Sequence, residues 1–216
     1  MYLSKGFWFT VVPIIVLSVL FQFLQEIDIS LAYHRSTFWD CIFYQAITPN
    51  LIHLNWIHWL LNISNLMALI FIFDRAWNYI TFILLFLTSS IFIILLLYFY
   101  SPNVVSYVGM SGVIYSLAVY GSLYNFHQQK LLSLAILFFV ILKLSANESV
   151  NHLLGVDSIL GRITIITDAH LYGAIVGFAF FVVQSVIITL YFYDKKNNQK
   201  RLSTQFKSRE VTEEKL

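Results

Sequence analysis

The chain has 216 residues, enough for one domain or two small ones. Hydrophobic residues make up 59% and charged residues 11%, where soluble domains carry about a quarter charged. A soluble fold would have to cover its surface with Phe, Leu and Ile, so the composition excludes that class. The net charge of +2 is small and the basic residues gather in the tail, which argues against a nucleic-acid partner. A single cysteine, Cys41, excludes an intrachain disulfide.

A bilayer-crossing helix takes roughly 20 mostly apolar residues. That rule predicts spans at 7–24, 52–73, 79–100, 108–125, 129–145 and 168–193, in an all-α membrane protein of six transmembrane helices. The first follows Lys5 and superficially resembles a secretory signal. No small-x-small cleavage site follows it, so it reads as a retained span. Residues 194–216 hold 11 of the charged side chains and are predicted to form a polar, basic and partly disordered cytoplasmic tail. Six spans put both termini on one side. The excess of Lys and Arg on that side predicts N-in and C-in. Lys143 falls at a boundary, and Arg35 is one of the few outer cations.

Polar groups at membrane depth need a partner or a task. The second span opens with His53-Leu54-Asn55-Trp56-Ile57-His58 and continues to Asn62. The fourth opens with Gly109-Met110-Ser111-Gly112 and continues to Tyr115. The sixth opens with Asp168-Ala169-His170 and continues to Gly173 and Gly177. In the N-in topology all three clusters lie near the outer ends of their spans. His58 and Asn62 share a helix face, as do Ser111 and Tyr115, and as do His170, Gly173 and Gly177. The Gly173-x-x-x-Gly177 spacing lets helix backbones approach closely, and Gly109 and Gly112 flank Ser111. If the sixth helix packs on the fourth, His170 meets Ser111. A neutral imidazole is suited to take a serine proton, and a serine at a helix start carries free backbone N–H groups. His58 and Asn62 could add donors for a developing oxyanion.

At these residues the chain resembles the rhomboid family of intramembrane serine proteases. The resemblance rests on HWLLN (His58 to Asn62), GMSGVIY (Gly109 to Tyr115) and AHLYGAIVG (Ala169 to Gly177), in family order. It covers the membrane core, residues 7–193, but not the tail. The longer run HLNWIHWLLN and the short first loop look like the rhombosortase branch. The resemblance implies a six-helix rhomboid-like bundle with Ser111 as nucleophile and His170 as general base. It also implies an oxyanion hole of His58, Asn62 and the Ser111 N–H, with Tyr115 packed near His170 and no cofactor or metal. The substrate implied is a single-pass membrane protein, its anchor a C-terminal Gly-Gly-type motif with an apolar helix and a basic end. The site would open to the periplasmic side of a bacterial inner membrane. Many rhomboids carry a Trp-Arg pair in the first loop; here the nearest match is Trp39-Asp40.

Rival readings have less behind them. No HExxH occurs and no paired membrane aspartates appear, since Asp74 and Asp168 are predicted at opposite faces. A metal site of His53, His58 and His170 would leave Ser111 and the glycines unexplained, and the repeats common in transporters are not evident. A catalytically silent rhomboid-like protein that binds membrane clients is the main non-enzyme alternative. His53 is expected to be structural, Asp168 to point away from His170, and the five tryptophans to sit in interfacial belts. The loop from Ala146 to Thr167, with Gly155 and Gly161, is a candidate gate.

Overall fold

The computed structural model describes residues 5–27, 31–145 and 166–213. The candidate gate therefore lies outside the described residues except at 166 and 167. The described chain is mostly helical. Helix α1 is Lys5–Glu26, and the first loop contains strand β1 (Tyr33–His34), a short helix α2 (Ile42–Gln45) and two 3-10 turns. Then come α3 (Trp56–Ile72), α4 (Tyr79–Tyr100), strand β2 (Ser106–Tyr107), α5 (Ser111–Tyr124), α6 (Lys130–Ser145) and α7 (Thr167–Glu213).

Three helical stretches are long and apolar enough to cross a membrane: Phe7–Glu26, Tyr79–Tyr100 and Thr167–Asn198. Helix α3 is apolar but has 17 residues, and α5 and α6 have 14 and 16. By length and composition, these helices are those of an integral membrane protein.

Helix α3 starts at Trp56, four residues after the expected span does. Asn55 is its N-cap, with a side-chain oxygen that accepts from the His58 N–H at 2.8 Å. The preceding chain is bent through the Thr48–Asn50 turn. Likewise α5 starts at Ser111 rather than near 108, because Gly109 adopts φ +125° and breaks the helical path. At the other end of the chain, α7 does not stop near residue 193 but continues to Glu213.

The chain divides into two compact units, Met1–Ala179 and Phe180–Leu216. In the first, α5 packs against α3, α4 and α6, and most of its residues are buried. Helix α1 rests on α4 through the Phe7 and Phe82 rings, 5.3 Å apart, and ties to α3 where Trp59 Nε1 donates to Ser18 Oγ at 2.9 Å. Trp77 departs from the interfacial-belt expectation. It is buried beside Tyr120 and donates to the Leu69 carbonyl. In the second unit the helix presents apolar side chains outward as far as Tyr193 and then turns polar.

The first loop is fixed to the helix ends. β1 pairs antiparallel with β2, Tyr33 opposite Tyr107, which joins the loop to the segment leading into Ser111. Arg35 closes the C-terminal end of α4: its guanidinium donates to the carbonyls of Tyr98 (2.6 Å), Leu97 and Ser101 (both 3.3 Å). It also lies 4.8 Å from the Tyr98 ring. The last carbonyls of a helix lack partners within the helix and carry partial negative charge, so a planar cation with several donors suits that place. The expected Trp-Arg pair is absent, yet an arginine four residues before Trp39 anchors the loop.

Candidate active site

Helix α5 begins at the serine itself. Gly109 turns the chain with its left-handed φ, its N–H held by the Pro49 carbonyl at 2.8 Å and its own carbonyl by the Tyr107 hydroxyl at 2.7 Å. The first intrahelical bond runs from the Ile114 N–H to the Met110 carbonyl, so the N–H groups at Ser111 to Val113 have no acceptor within the helix. A nucleophile here sits beside backbone donors.

Helix α7 lies against α5 at backbone contact. A Cβ added at Gly173 would fall 1.9 Å from the Gly112 carbonyl oxygen, and one at Gly177 would fall 2.3 Å from that of Ser116. A Cβ on Gly112 would meet the Ala169 oxygen at 2.8 Å. Only hydrogen fits along this seam, as the Gly-x-x-x-Gly spacing predicts. The seam brings His170 Nε2 to 2.8 Å from Ser111 Oγ. The Tyr115 ring stacks on the His170 imidazole at 4.4 Å and 7°, which fixes the ring plane while leaving Nε2 at the serine.

The second cluster arrives from α3. A Cβ on Gly109 would meet His58 Cε1 at 3.0 Å, His58 Nε2 at 3.5 Å and Ser111 Oγ at 3.9 Å. The imidazole edge and the serine oxygen thus border one point beside Gly109. His58 Nδ1 is buried without a partner. Orphaned buried N–H groups are rarer than orphaned acceptors, which favours the hydrogen on Nε2, the ring nitrogen 3.5 Å from that point beside Gly109. Asn62 Nδ2 donates back to the His58 carbonyl at 2.8 Å. Its amide has a second hydrogen, and the side chain lines the same cavity as Ser111.

That cavity is about 900 Å³ and is bordered by His58, Asn62, Ser111, Tyr115 and His170 on a mainly apolar wall. Ser111, His170, His58, Asn62 and Tyr115 therefore meet around it, with Gly109, Gly112, Gly173 and Gly177 permitting the approach. The arrangement can transfer a proton from serine to imidazole and present donors to an oxygen beside them.

Two residues outside the Ser111–His170 pair have definite places. Asp168 does not face the His170–Ser111 pair. Its carboxylate accepts from Ser101 Oγ at 2.6 Å, and Ser101 also bonds the Tyr172 hydroxyl at 2.9 Å. His53 is fully buried; its Nε2 accepts from the Met110 N–H at 3.4 Å and its ring meets that of His58 edge-on at 5.2 Å. It supports both the turn before Ser111 and the second histidine, a structural role.

Sequence reasoning missed Arg35, Tyr107 and Asn55 as builders of the site. Asn55 was readable, because Asn before an apolar helical run is a capping signal. Arg35 and Tyr107 bond to carbonyls, which leave no mark in sequence. Among the described residues, no group of three or more His, Cys, Asp or Glu could hold a metal ion.

Comparison with curated proteins gives no match. The Rhomboid domain family matches residues 40–186, about two thirds of the chain. That stretch holds all three clusters and the α5–α7 seam, and the family consists in general of intramembrane serine proteases. The chain belongs to the rhomboid family.

Proposed function

We propose that this protein is an intramembrane serine endopeptidase with a Ser111–His170 dyad. The observation that carries the reading is the 2.8 Å contact between His170 Nε2 and Ser111 Oγ, made inside a cavity that also receives His58 and Asn62.

In the proposed reaction neutral His170 takes the Ser111 hydroxyl proton at Nε2 as Oγ attacks the scissile carbonyl carbon. The electron pair moves to the carbonyl oxygen, held by the Ser111 N–H, His58 Nε2–H and the free Asn62 amide hydrogen. His170 then gives its proton to the leaving amine, and the C–N bond breaks. Water attacks the acyl-enzyme as His170 takes its proton; the Oγ–acyl bond then breaks, the carboxylic acid leaves, and His170 returns the proton to Ser111 Oγ. A dyad without an acid avoids placing a fixed carboxylate at membrane depth.

The substrate is a single-pass membrane protein cut in or beside its transmembrane segment. The longer histidine run favours the rhombosortase type, which removes a C-terminal Gly-Gly-type anchor from exported proteins. Six crossings with both termini inside, in a bacterial inner membrane, would open the site toward the periplasm. The Lys and Arg distribution supports this orientation.

The test is labelling with a fluorophosphonate probe together with cleavage of a membrane-anchored reporter. The wild type should do both; Ser111→Ala, present at equal abundance, should do neither. Cleavage that persists in Ser111→Ala refutes the dyad. Absence of labelling, under conditions that label an active rhomboid, points to a client-binding protein instead.

A further inference from the structure

Among the described residues, one charged residue borders the cavity, and the proposed reaction does not use it. Lys143 lies near the C-terminal end of α6, half-buried. It lines the cavity with Ser111 and His170, and no described carboxylate lines it. Its direction is set by the helix. Ile136, Phe139, Val140 and Lys143 all border the cavity and fall at i, i+3, i+4 and i+7, one face of α6. A lysine in a last turn is ordinarily explained by the helix dipole and by reach toward lipid headgroups. Either explanation would serve on any face of the helix. Here the cation continues the stripe that faces the nucleophile.

We propose that Lys143 is a specificity-determining residue that receives a carboxylate side chain of the substrate, an Asp or Glu close to the scissile bond. This rests on Ser111 being the nucleophile, since the substrate segment is then what enters this cavity during turnover. The wall around Lys143 is largely apolar and offers no counter-charge among the described residues, so an entering carboxylate gains a partner. A neutral residue there leaves the cation as it was. The acid thus favours capture of the right segment, while Ser111 and His170 carry out the same chemistry on any bound chain. The phosphate of an anionic lipid has similar chemistry, and the test separates the two sources.

The experiment uses the full-length protein in phosphatidylcholine vesicles. The reporters have one apolar span and a small-residue scissile stretch, and single flanking positions carry Asp, Asn or Lys. At one or more positions the wild type should cleave the Asp reporter about tenfold faster in kcat/KM than the Asn one, as expected for a partly desolvated charge pair. Lys143→Met should lose that ratio by lowering kcat/KM for the Asp reporter, and Lys143→Glu should prefer Lys. Lys143→Arg should keep the preference for Asp.

The proposal is overturned if no position discriminates, or if Lys143→Met lowers Asp and Asn reporters alike. It is also overturned if adding phosphatidylglycerol changes the rate in a Lys143-dependent way while the Asp-to-Asn ratio stays with Lys143→Met, which would make the occupant a lipid. Fluorophosphonate labelling of Ser111 in each variant keeps the two questions apart. Labelled enzyme without acid preference rejects only the role of Lys143, whereas unlabelled wild type rejects the protease itself.

Discussion

Replacing Gly173 with alanine tests whether the backbone contact between α5 and α7 holds Ser111 and His170 together. The new Cβ would lie 1.9 Å from the Gly112 oxygen, and ordinary contact begins near 3.4 Å. Backbone cannot swing aside as a side chain can, so the helices must part by about 1.5 Å at this level. His170 is three residues away on the same rigid helix face and moves with it. A shift of half that size takes Nε2···Oγ from 2.8 Å to about 3.5 Å, the limit of a hydrogen bond. Misplacement of about 1 Å can cost on the order of 100-fold in rate, so kcat should fall by about that factor with KM little changed. Gly121→Ala is the control. Its Cβ would meet the Phe73 ring at 2.6 Å, ten residues along α5 from Ser111, and overpacking of this kind costs about 1–3 kcal/mol without touching the dyad. Labelling rate, reporter kinetics and thermal midpoint would be measured for both. Wild-type labelling and cleavage by folded Gly173→Ala, or equal losses in the two variants, would refute the reasoning.

Two further outcomes are expected. His58→Ala and Asn62→Ala should each lower kcat by about 100- to 1000-fold if they hold the oxyanion. His58→Ala should do so with Ser111 still in place, and near-wild-type kcat in either variant would reduce that residue to a structural bond. Arg35→Gln should remove most of the cap on α4 and cost about 1–2 kcal/mol, a fall of several degrees in thermal midpoint. An unchanged midpoint would show that solvent or lipid satisfies those carbonyls equally well.

What could be read from the sequence was what repeats at helical spacing. Gly173 and Gly177 announced a close contact, and His170 lay on their face, so the meeting with Ser111 followed once α5 was its partner. The helix ends were harder. Hydropathy counts Ile52 and Leu54 as span although the backbone there is bent, and only the Asn55 cap marks where α3 begins. Arg35 was visible only as an outer charge, because its partners are carbonyls 62 to 66 residues away. The loop pairing of Tyr33 with Tyr107 had no sequence signal either, since two-residue strands have no measurable period. The continuation of α7 to Glu213 shows the same limit. Polar composition removed the apolar pattern but contains no Pro or Gly to end the helix.

The brevity of α5 has a consequence for which bonds can be reached. Fourteen residues rise about 21 Å, against a hydrocarbon thickness near 30 Å. The helix is therefore about 9 Å shorter than that thickness. That difference acts as a ruler: it is the rise of about six helical residues in a partner spanning beside it. For the proposed protease, inserting a turn into α5 would lift Ser111 and move the cut along the substrate, so the length of one helix encodes a distance that no side chain in the cavity specifies.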